Sequence, residues 1–482
     1  MILRSDRFPG KGWLAAGALA LALGGLGSQA RAAATIVIND INAPGVGFKD
    51  PTPAVPVGGN VGTTVGEQRL IAFTYAANLW GATLSSNVRI VIQAQFSPLS
   101  CDASGAVLGS AGATKIFRDF AGAKFSKTWY SYALANKLSG TDIGGDTPQI
   151  NANFNSELGK PGCLDGTFFY LGLDNNHGAS IDFVTVLLHE MGHGLGFQTF
   201  TSGDTGLEYH GKPSIWDHFL EDNTTGKEWK DMTPPERRAS AIGSNKLVWN
   251  GPLVTTALPN VLQQGTAALG ISGPNAGPAA GTYQVGTASF GPPLTTTGVS
   301  GQLMPVVDQA NGTGLACNAL DATNALAVNG NIALVDRGTC SFVIKVKNLQ
   351  NAGAIGVVVA DNVAGSPPPG LGGSDATITI PAVRITLDDG NRIKAQLVNR
   401  TAISFGVVAQ LGLLGTQYAG ADPVGRALMY TPNPYQGRSS VSHWDVSAFR
   451  NQLMEPAING DLTHSVIPPE DLTFKLLQDI GW

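Results

Sequence analysis

Ile181-Asp182-Phe183-Val184-Thr185-Val186-Leu187-Leu188-His189-Glu190-Met191-Gly192-His193-Gly194-Leu195-Gly196 carries the strongest chemical pattern in the chain. Its apolar run predicts a helix over Ile181 to Leu195 that is buried rather than solvated. Residues four apart on a helix share a face, so the imidazoles of His189 and His193 can meet one metal ion. Glu190 follows the first of them, where a carboxylate can act on water as general base. A bland reading, a chance polar face on a core helix, is disfavoured because an acid and two histidines would then be buried without purpose. Gly196 can take a positive φ, end the helix and turn the chain. Two histidines do not complete a catalytic zinc site, which uses three protein ligands and an open position. Position 199, one turn beyond, is Thr199, a poor ligand. The third ligand must come from elsewhere.

Several residues compete for that role. Glu208, Asp217, His218 and Glu221 lie within thirty residues, and His177 and His210 are unplaced. A distant candidate is stronger. Ser442-His443-Trp444-Asp445 is followed by Gln452-Leu453-Met454-Glu455-Pro456. Here the chain resembles the leishmanolysin-type metzincins. Their motif needs the glycine found at 196, takes its third histidine from a Ser-His-Trp-acid segment after a long insertion, and places a methionine turn shortly behind. The resemblance implies that His189, His193 and His443 hold Zn2+, that Glu190 is catalytic, and that Met454 lies beneath the metal. It implies a zinc-dependent endopeptidase acting on proteins or peptides, with an extended substrate paired to an edge strand. Ile150-Asn151-Ala152-Asn153-Phe154 alternates apolar and polar residues, so Ile150, Ala152 and Phe154 mark the expected edge strand. Within this catalytic domain Cys101 and Cys163 are read as a disulfide. Two other classes compete: a secreted binding module on an inactivated protease fold, and a zinc hydrolase of non-peptide substrates. Asp174-Asn175-Asn176 is an oxygen-rich turn and a weak Ca2+ candidate, an ion-free Asx turn being the plainer reading.

The stretch between Gly196 and His443 contains a second pattern. Gly330-Asn331-Ile332-Ala333-Leu334-Val335-Asp336-Arg337-Gly338-Thr339-Cys340-Ser341-Phe342 leads into a helix from Phe342 to Ala352. The runs Ala354 to Ala360 and Ile378-Thr379-Ile380-Pro381 read as buried strands. This resembles a protease-associated (PA) domain over about 280–414. The resemblance implies a disulfide between Cys317 and Cys340, no catalytic residues, and a role in holding substrate segments or limiting access. The fold expected is α+β: a metzincin-like domain with a mixed sheet and an active-site helix, interrupted by a β-rich α/β PA domain. The expected partition is 35–279, 280–414 and 415–482, the first and last forming one catalytic domain.

Composition agrees with an exported enzyme. At 482 residues the chain has room for two to four domains of roughly 100–200 residues. Only 13% of residues are charged, against roughly 25% in an ordinary soluble chain, while 43% are hydrophobic, enough for packed cores. Net charge is −5, which argues against a nucleic-acid partner. Arg4, Arg7 and Lys11, an apolar run from Trp13 to Leu26 and the small residues Ala30 to Ala34 read as a signal peptide over 1–34. Its removal leaves 26 basic against 34 acidic side chains, net −8. The mature chain is expected to be extracellular or periplasmic, monomeric, without a membrane span, and to oxidise its four cysteines. The capping box Thr64-Val65-Gly66-Glu67 opens an expected helix through Trp80, Val88 to Phe96 reads as a strand, and Trp129 to Leu138 as a helix.

Overall fold

The computed structural model describes residues 33–103, 105–145, 147–307, 314–398 and 406–482. Most of the signal-type segment, through residue 32, lies outside the described residues. Strand β1 (Ile36–Asp40) leads to helix α1 (Val65–Thr83), then to strands β2 (Ile90–Ser97) and β3 (Gly109–Ala113). Helix α2 (Tyr132–Ser139), strand β4 (Ile150–Asn155) and helix α3 (Phe183–Leu195) follow. The capping box is made at the start of α1: the Glu67 N–H donates to Thr64 Oγ1, and the Thr64 N–H to Glu67 Oε2, both at 3.2 Å. A cap of this kind is worth about 1 kcal/mol. The segment Trp129–Ser131 is extended, so the expected helix begins only at Tyr132.

The four strands form one sheet in the order β1-β2-β4-β3. β1, β2 and β4 are parallel, and β3 runs antiparallel on the outside of β4. This corrects the edge-strand assignment. Ile150, Ala152 and Phe154 belong to an interior strand, paired on one side with β2 and on the other with β3. Their side chains are buried in the core. The asparagines between them gave the strand its edge-like look, yet Asn153 accepts a hydrogen bond from Gln95 of β2 at 2.8 Å. The polar face is thus an amide contact across neighbouring strands. The true edge is β3, whose Gly-Ser-Ala-Gly-Ala sequence carries almost no strand signal. Helix α1 packs on α3, and Trp80 Nε1 donates to the Leu188 carbonyl at 3.1 Å.

A second body begins with β5 (Gln264–Ser272), β6 (Gly281–Gln284), β7 (Gly286–Thr287) and β8 (Val299–Pro305). Helix α4 (Ala322–Val328), β9 (Ile332–Asp336), α5 (Phe342–Asn351) and β10 (Gly356–Ala360) follow, then β11 (Ala382–Ile385), α6 (Leu387–Lys394) and β12 (Val408–Tyr418). The sheet order is β6-β5-β12-β8-β9-β10-β11-β7, with β8 to β11 parallel. The two outermost strands, β6 and β7, are consecutive in the chain. One extended segment therefore pairs with both ends of the sheet and closes it into a barrel. The expected boundaries 280–414 are too narrow: β5 and the end of β12 belong to this sheet. Gly277-Pro278, just ahead of the expected border at 280, is a single 3-10 turn between β5 and β6. Ile378 to Pro381 is not a strand; the ladder starts at Ala382, after the proline that has no N–H to donate.

The chain then returns to the first body. Ala427–Leu428 pairs with Leu247–Trp249, and one hydrophobic cluster joins residues 34–262 to residues 421–482. The last helix, α7 (Thr473–Ile480), docks through Asp479, which accepts from Trp249 Nε1 and from the Leu253 N–H, each at 3.0 Å. A separate cluster from Leu269 to Leu411 fills the barrel. Each body has one disulfide, Cys101–Cys163 and Cys317–Cys340. Cys101 and Cys163 are 62 residues apart, a loop whose closure is worth about 4 kcal/mol in the chain-entropy account. Cys163→Ala is expected to lower the urea midpoint accordingly; an unchanged midpoint would show that the loop ordered by β3 and β4 holds without it. Among the described residues no helix is long and apolar enough to cross a membrane.

Candidate metal centre

Helix α3 is capped by Asp182, whose carboxylate accepts the Thr185 N–H at 2.7 Å. Every residue of the helix except His193 is buried. A helix apolar on all sides belongs inside a core, and this one carries its two histidines and its glutamate into that core. The helix stops at Gly196, φ 126°, where a Cβ would meet Ser131 Oγ at 2.9 Å. Only glycine fits both the backbone and the space. Ser131 Oγ and Trp482 Nε1 donate to the Leu195 carbonyl, at 3.2 and 2.8 Å, satisfying an end that would otherwise be left open.

His443 arrives from the far side of the inserted barrel. His193 Nε2 lies 3.2 Å from His189 Nε2 and 3.2 Å from His443 Nε2. Each ring has its other nitrogen on a backbone carbonyl: His189 Nδ1 on Leu453 O at 2.8 Å, His193 Nδ1 on Phe197 O at 2.8 Å, and His443 Nδ1 on Ser439 O at 2.7 Å. A carbonyl only accepts, so Nδ1 carries the proton in all three rings and each Nε2 presents a lone pair. Three lone pairs facing one another at this distance repel unless a cation lies between them. Tetrahedral Zn–N bonds of about 2.05 Å set nitrogens about 3.3 Å apart, close to the spacing found here. The residues present therefore fit a metal ion. Among the described residues this is the one cluster of histidine, cysteine and carboxylate groups close enough to hold a metal. Three protein ligands is the number of a catalytic rather than a structural site.

Burial sets the protonation. It holds His189 down to about 4; burial and then His189 hold His193 down to about 3. Burial, followed by the other two rings, keeps His443 well below the ordinary histidine range. All three are neutral at pH 7, as ligands must be. Glu190 moves the other way: burial pushes its carboxyl up to about 8, opposed only by a hydrogen bond from the Ala111 backbone of β3. In the unfolded chain a glutamate titrates at 4.5. The stability linked to its raised value is thus full below pH 4.5 and gone once pH passes about 8. In metal-stripped protein, Glu190→Gln removes this dependence. Its stability relative to wild type is expected to rise between pH 5 and pH 9, read from urea melts at both pH values; a constant difference would mean Glu190 is solvated.

Met454 is buried against the centre of the motif. A Cβ on Gly192 would come within 2.8 Å of its Sδ, so the glycine between the two histidines makes room for it. The Met454 carbonyl accepts the Trp444 N–H at 2.9 Å, tying the turn to the residue after His443. Asp471, buried and pushed up to about 6 by that burial, accepts the Leu453 N–H at 2.6 Å. Leu453 in turn holds His189. Neither Asp471 nor the three carbonyl partners stands out in the sequence, because a backbone acceptor has no residue signature.

The other ligand candidates are engaged elsewhere. Thr199 Oγ1 donates to buried Asp217 at 2.7 Å, and Thr201 and Ser214 complete that carboxylate's shell. The Thr199 N–H reaches Ser442 Oγ at 3.3 Å, next to His443. Glu208 pairs with Arg237, and Glu221 with Arg426. His218 stacks on Phe125 at 4.2 Å, His177 Nδ1 contacts Ser180 O, and His210 lies edge-on to Tyr209. Asp174 accepts from the Tyr170 hydroxyl at 2.6 Å and from the Asn176 N–H at 3.1 Å, the pattern of an Asx turn.

Beside the centre, no strand among the described residues pairs with the outer side of β3. The Asn155 N–H donates to Leu108 O, and the Thr114 N–H donates to Gln149 O, each at 3.0 Å. In the two-residue alternation of an antiparallel pair, the backbone groups of Gly109, Ala111 and Ala113 then point away from β4.

Comparison with known proteins reaches only part of the chain. The sequence profile described as PA domain matches residues 299–393. ER degradation-enhancing alpha-mannosidase-like protein 3 of Xenopus laevis is 41% identical over 81 residues, 15% of this chain and 9% of that protein. Minor extracellular protease Vpr of Bacillus subtilis is 29% identical over 109 residues, 22% of this chain and 13% of that protein. Probable lipoprotein aminopeptidase LpqL of Mycobacterium tuberculosis is 32% identical over 115 residues, 24% of this chain and 21% of that protein. The chain thus spans less than a quarter of each of these relatives. Among solved structures, the zinc aminopeptidase BSAP of Bacillus subtilis aligns with a TM-score of 0.22 at 22% identity, over 33% of this chain and 36% of that one. An aminopeptidase of Aneurinibacillus aligns at 0.23 and 17% identity, over 42% of each chain. Scores this low describe no shared overall fold. The chain carries a PA domain, inserted between His193 and His443.

Proposed function

We propose that this protein is an exported zinc-dependent endopeptidase of the leishmanolysin-like metzincin type. The observation that carries the reading is the convergence of three neutral Nε2 lone pairs from His189, His193 and His443, with Glu190 one residue from the first. Two disulfides fit an oxidising compartment. A PA domain, together with partial similarity to an extracellular protease and to a probable lipoprotein aminopeptidase, fits a peptidase.

His189, His193 and His443 would hold the ion. When bound, zinc supplies Lewis acidity, polarising the scissile carbonyl and making water more acidic. Glu190 takes the proton from the attacking water and passes it to the leaving amine, a role open to a carboxylate set beside the first histidine on the same buried helix. Met454 and the carbonyls of Leu453, Phe197 and Ser439 fix the rings, so little reorganisation accompanies reaction. The extended substrate pairs with the outward backbone groups of Gly109 and Ala113 in β3, as an added antiparallel strand, while the Ala111 N–H serves Glu190. Ala113→Pro removes an N–H that β4 does not use. It is expected to leave the melting temperature near wild type and to lower casein cleavage at least about tenfold, by the loss of pairing. Ala152→Pro, in the interior strand, is expected to unfold the domain. Unchanged cleavage by Ala113→Pro would remove β3 from substrate binding.

The decisive test of the reaction class is an azocasein digest by the purified chain, with and without a zinc chelator. Chelator-sensitive release of peptides is expected. Release that survives complete zinc removal would reject the proposal.

A further inference from the structure

The two disulfides sit in different surroundings. At Cys163, which is 4% exposed, a polar neighbour of the sulfur is a neutral amide, Asn155 Nδ2 at 3.9 Å. At Cys317 the neighbour is an ammonium. Lys345 on α5 is 0% exposed; its Nζ donates to the Leu315 carbonyl at 2.6 Å and lies 3.6 Å from Cys317 Sγ. A lysine is seldom fully buried, because its charge must be compensated there. While the bridge is intact, the sulfur offers that ammonium only a weak acceptor. A thiolate in the same place would be a strong one, since two opposite charges would meet out of water. The buried ammonium therefore favours the state in which Cys317 carries negative charge.

Cys340 is placed differently. It is half-buried and lines a shallow pocket of about 580 Å³ together with Thr339, Phe342, Asn362 and Gly372. Thiol–disulfide exchange needs access for the attacking sulfur and low basicity in the sulfur that leaves. The pocket at Cys340 supplies the first, and Lys345 beside Cys317 supplies the second. The loop that carries Cys317 is also held without the bridge. The Gly314 carbonyl accepts the Asp336 N–H at 2.7 Å, and the Ala316 carbonyl accepts from Asn348 Nδ2 at 3.0 Å. Opening the bridge breaks neither bond, so the barrel keeps its fold when the sulfurs part.

The geometry points to Cys317–Cys340 as a thiol-exchange site, where a small thiol from the surroundings reversibly modifies the barrel. The ionised small thiol attacks Cys340 Sγ and forms a mixed disulfide there. The bond between the two cysteine sulfurs breaks, and its electron pair leaves on Cys317 as a thiolate opposite Lys345. A second ionised small thiol attacks the small-thiol sulfur of the mixed disulfide and releases Cys340. Two small thiols are thereby oxidised to one disulfide, and the protein bridge is reduced by two electrons. Each small thiol gives its proton to water as it ionises; Cys340 takes one back, and Cys317 stays a thiolate. The oxidised form of the small thiol runs the same steps in reverse. The site depends neither on the metal centre nor on the peptidase reading.

The test uses the full chain in its oxidised state, with excess reduced glutathione at neutral pH as the small thiol. Samples are quenched at intervals with acidic N-ethylmaleimide and mapped by peptide mass spectrometry. Cys317–Cys340 is expected to open at least about tenfold faster than Cys101–Cys163. The first adduct is expected to carry glutathione on Cys340 and the maleimide on Cys317. Lys345→Met removes the charge and keeps an unbranched side chain in the buried space. It is expected to slow the opening of Cys317–Cys340 at least about tenfold and to leave Cys101–Cys163 as it was. Equal rates for the two bridges, no opening of either, or glutathione first on Cys317 would each overturn the site. So would an unchanged rate in Lys345→Met, which would leave access alone as the cause of the difference. If Lys345→Met does not fold, the wild-type rates and the position of the first adduct decide.

Discussion

Glu190→Gln is expected to keep its zinc and lose nearly all of its activity. The substitution removes the proton acceptor but not a ligand, since the three Nε2 atoms belong to His189, His193 and His443. The amide is nearly isosteric and can still meet the Ala111 backbone, through its oxygen in place of the carboxylate. Packing of α3 should therefore be preserved. General acid–base catalysis contributes about 10²–10⁴-fold, so kcat on casein should fall by about 10³-fold with KM little changed. The measurement pairs zinc content by atomic absorption with initial rates. A variant that cleaves casein at the wild-type rate with full zinc would remove Glu190 from the mechanism; a variant without zinc would mean that the carboxylate helps hold the ion.

His443→Ala tests the other half of the site, and the effect should be on binding. Two histidines of one helix remain, but a third protein ligand is gone and a buried space opens beneath Ser439. Zinc content is expected to drop from near stoichiometric to a small fraction after dialysis, with activity lost in parallel. The stabilisation that bound metal gives the native state, RT ln(1 + [Zn]/Kd), should disappear with it, so added zinc should no longer raise the melting temperature. His443→Cys, which restores a zinc-binding side chain, should recover part of the metal. Full occupancy in His443→Ala would move the third ligand elsewhere. The surrounding acids offer no ready substitute: Asp217 is enclosed by Thr199, Thr201 and Ser214, and Glu221 is paired with Arg426.

Both predictions depend on how the chain brings distant residues together. His193 and His443 are 250 positions apart, and an entire barrel with its own core intervenes. The insertion is tolerated because its ends meet: β5 and β12 are antiparallel partners, and the chain leaves the first body and re-enters it side by side. A loop whose ends are already paired adds little to the cost of closing the first body around it. The same arrangement lets barrel residues and the stretch between His443 and Met454 line one cleft.

Much of the centre could be read without coordinates. The i, i+4 histidines, the adjacent glutamate and the glycine that ends the helix are local patterns, and each obeys a short-range rule of helix geometry or metal chemistry, whereas the Ser-His-Trp segment is legible by resemblance to a known motif. The capping box at Thr64 was equally plain, because its two hydrogen bonds involve residues three apart. The α+β character, the inserted β-rich domain and the pairs Cys101–Cys163 and Cys317–Cys340 were likewise legible from pattern and resemblance. The edge strand was not. Whether a strand is interior or exposed depends on its neighbours, and Ile150 to Asn155 has β3 beside it only because 108–114 folds back antiparallel. The barrel's limits escaped for a related reason: Gly277-Pro278 is as good a turn within a sheet as a border between domains. The sequence by itself marked His189, Glu190 and His193 as candidates, since those follow from residue type and helical spacing, while His443 and Met454 came from resemblance. Only the tertiary structure decided which strand is outermost beside them and which carbonyls face the rings, because each depends on contacts between residues far apart in the chain.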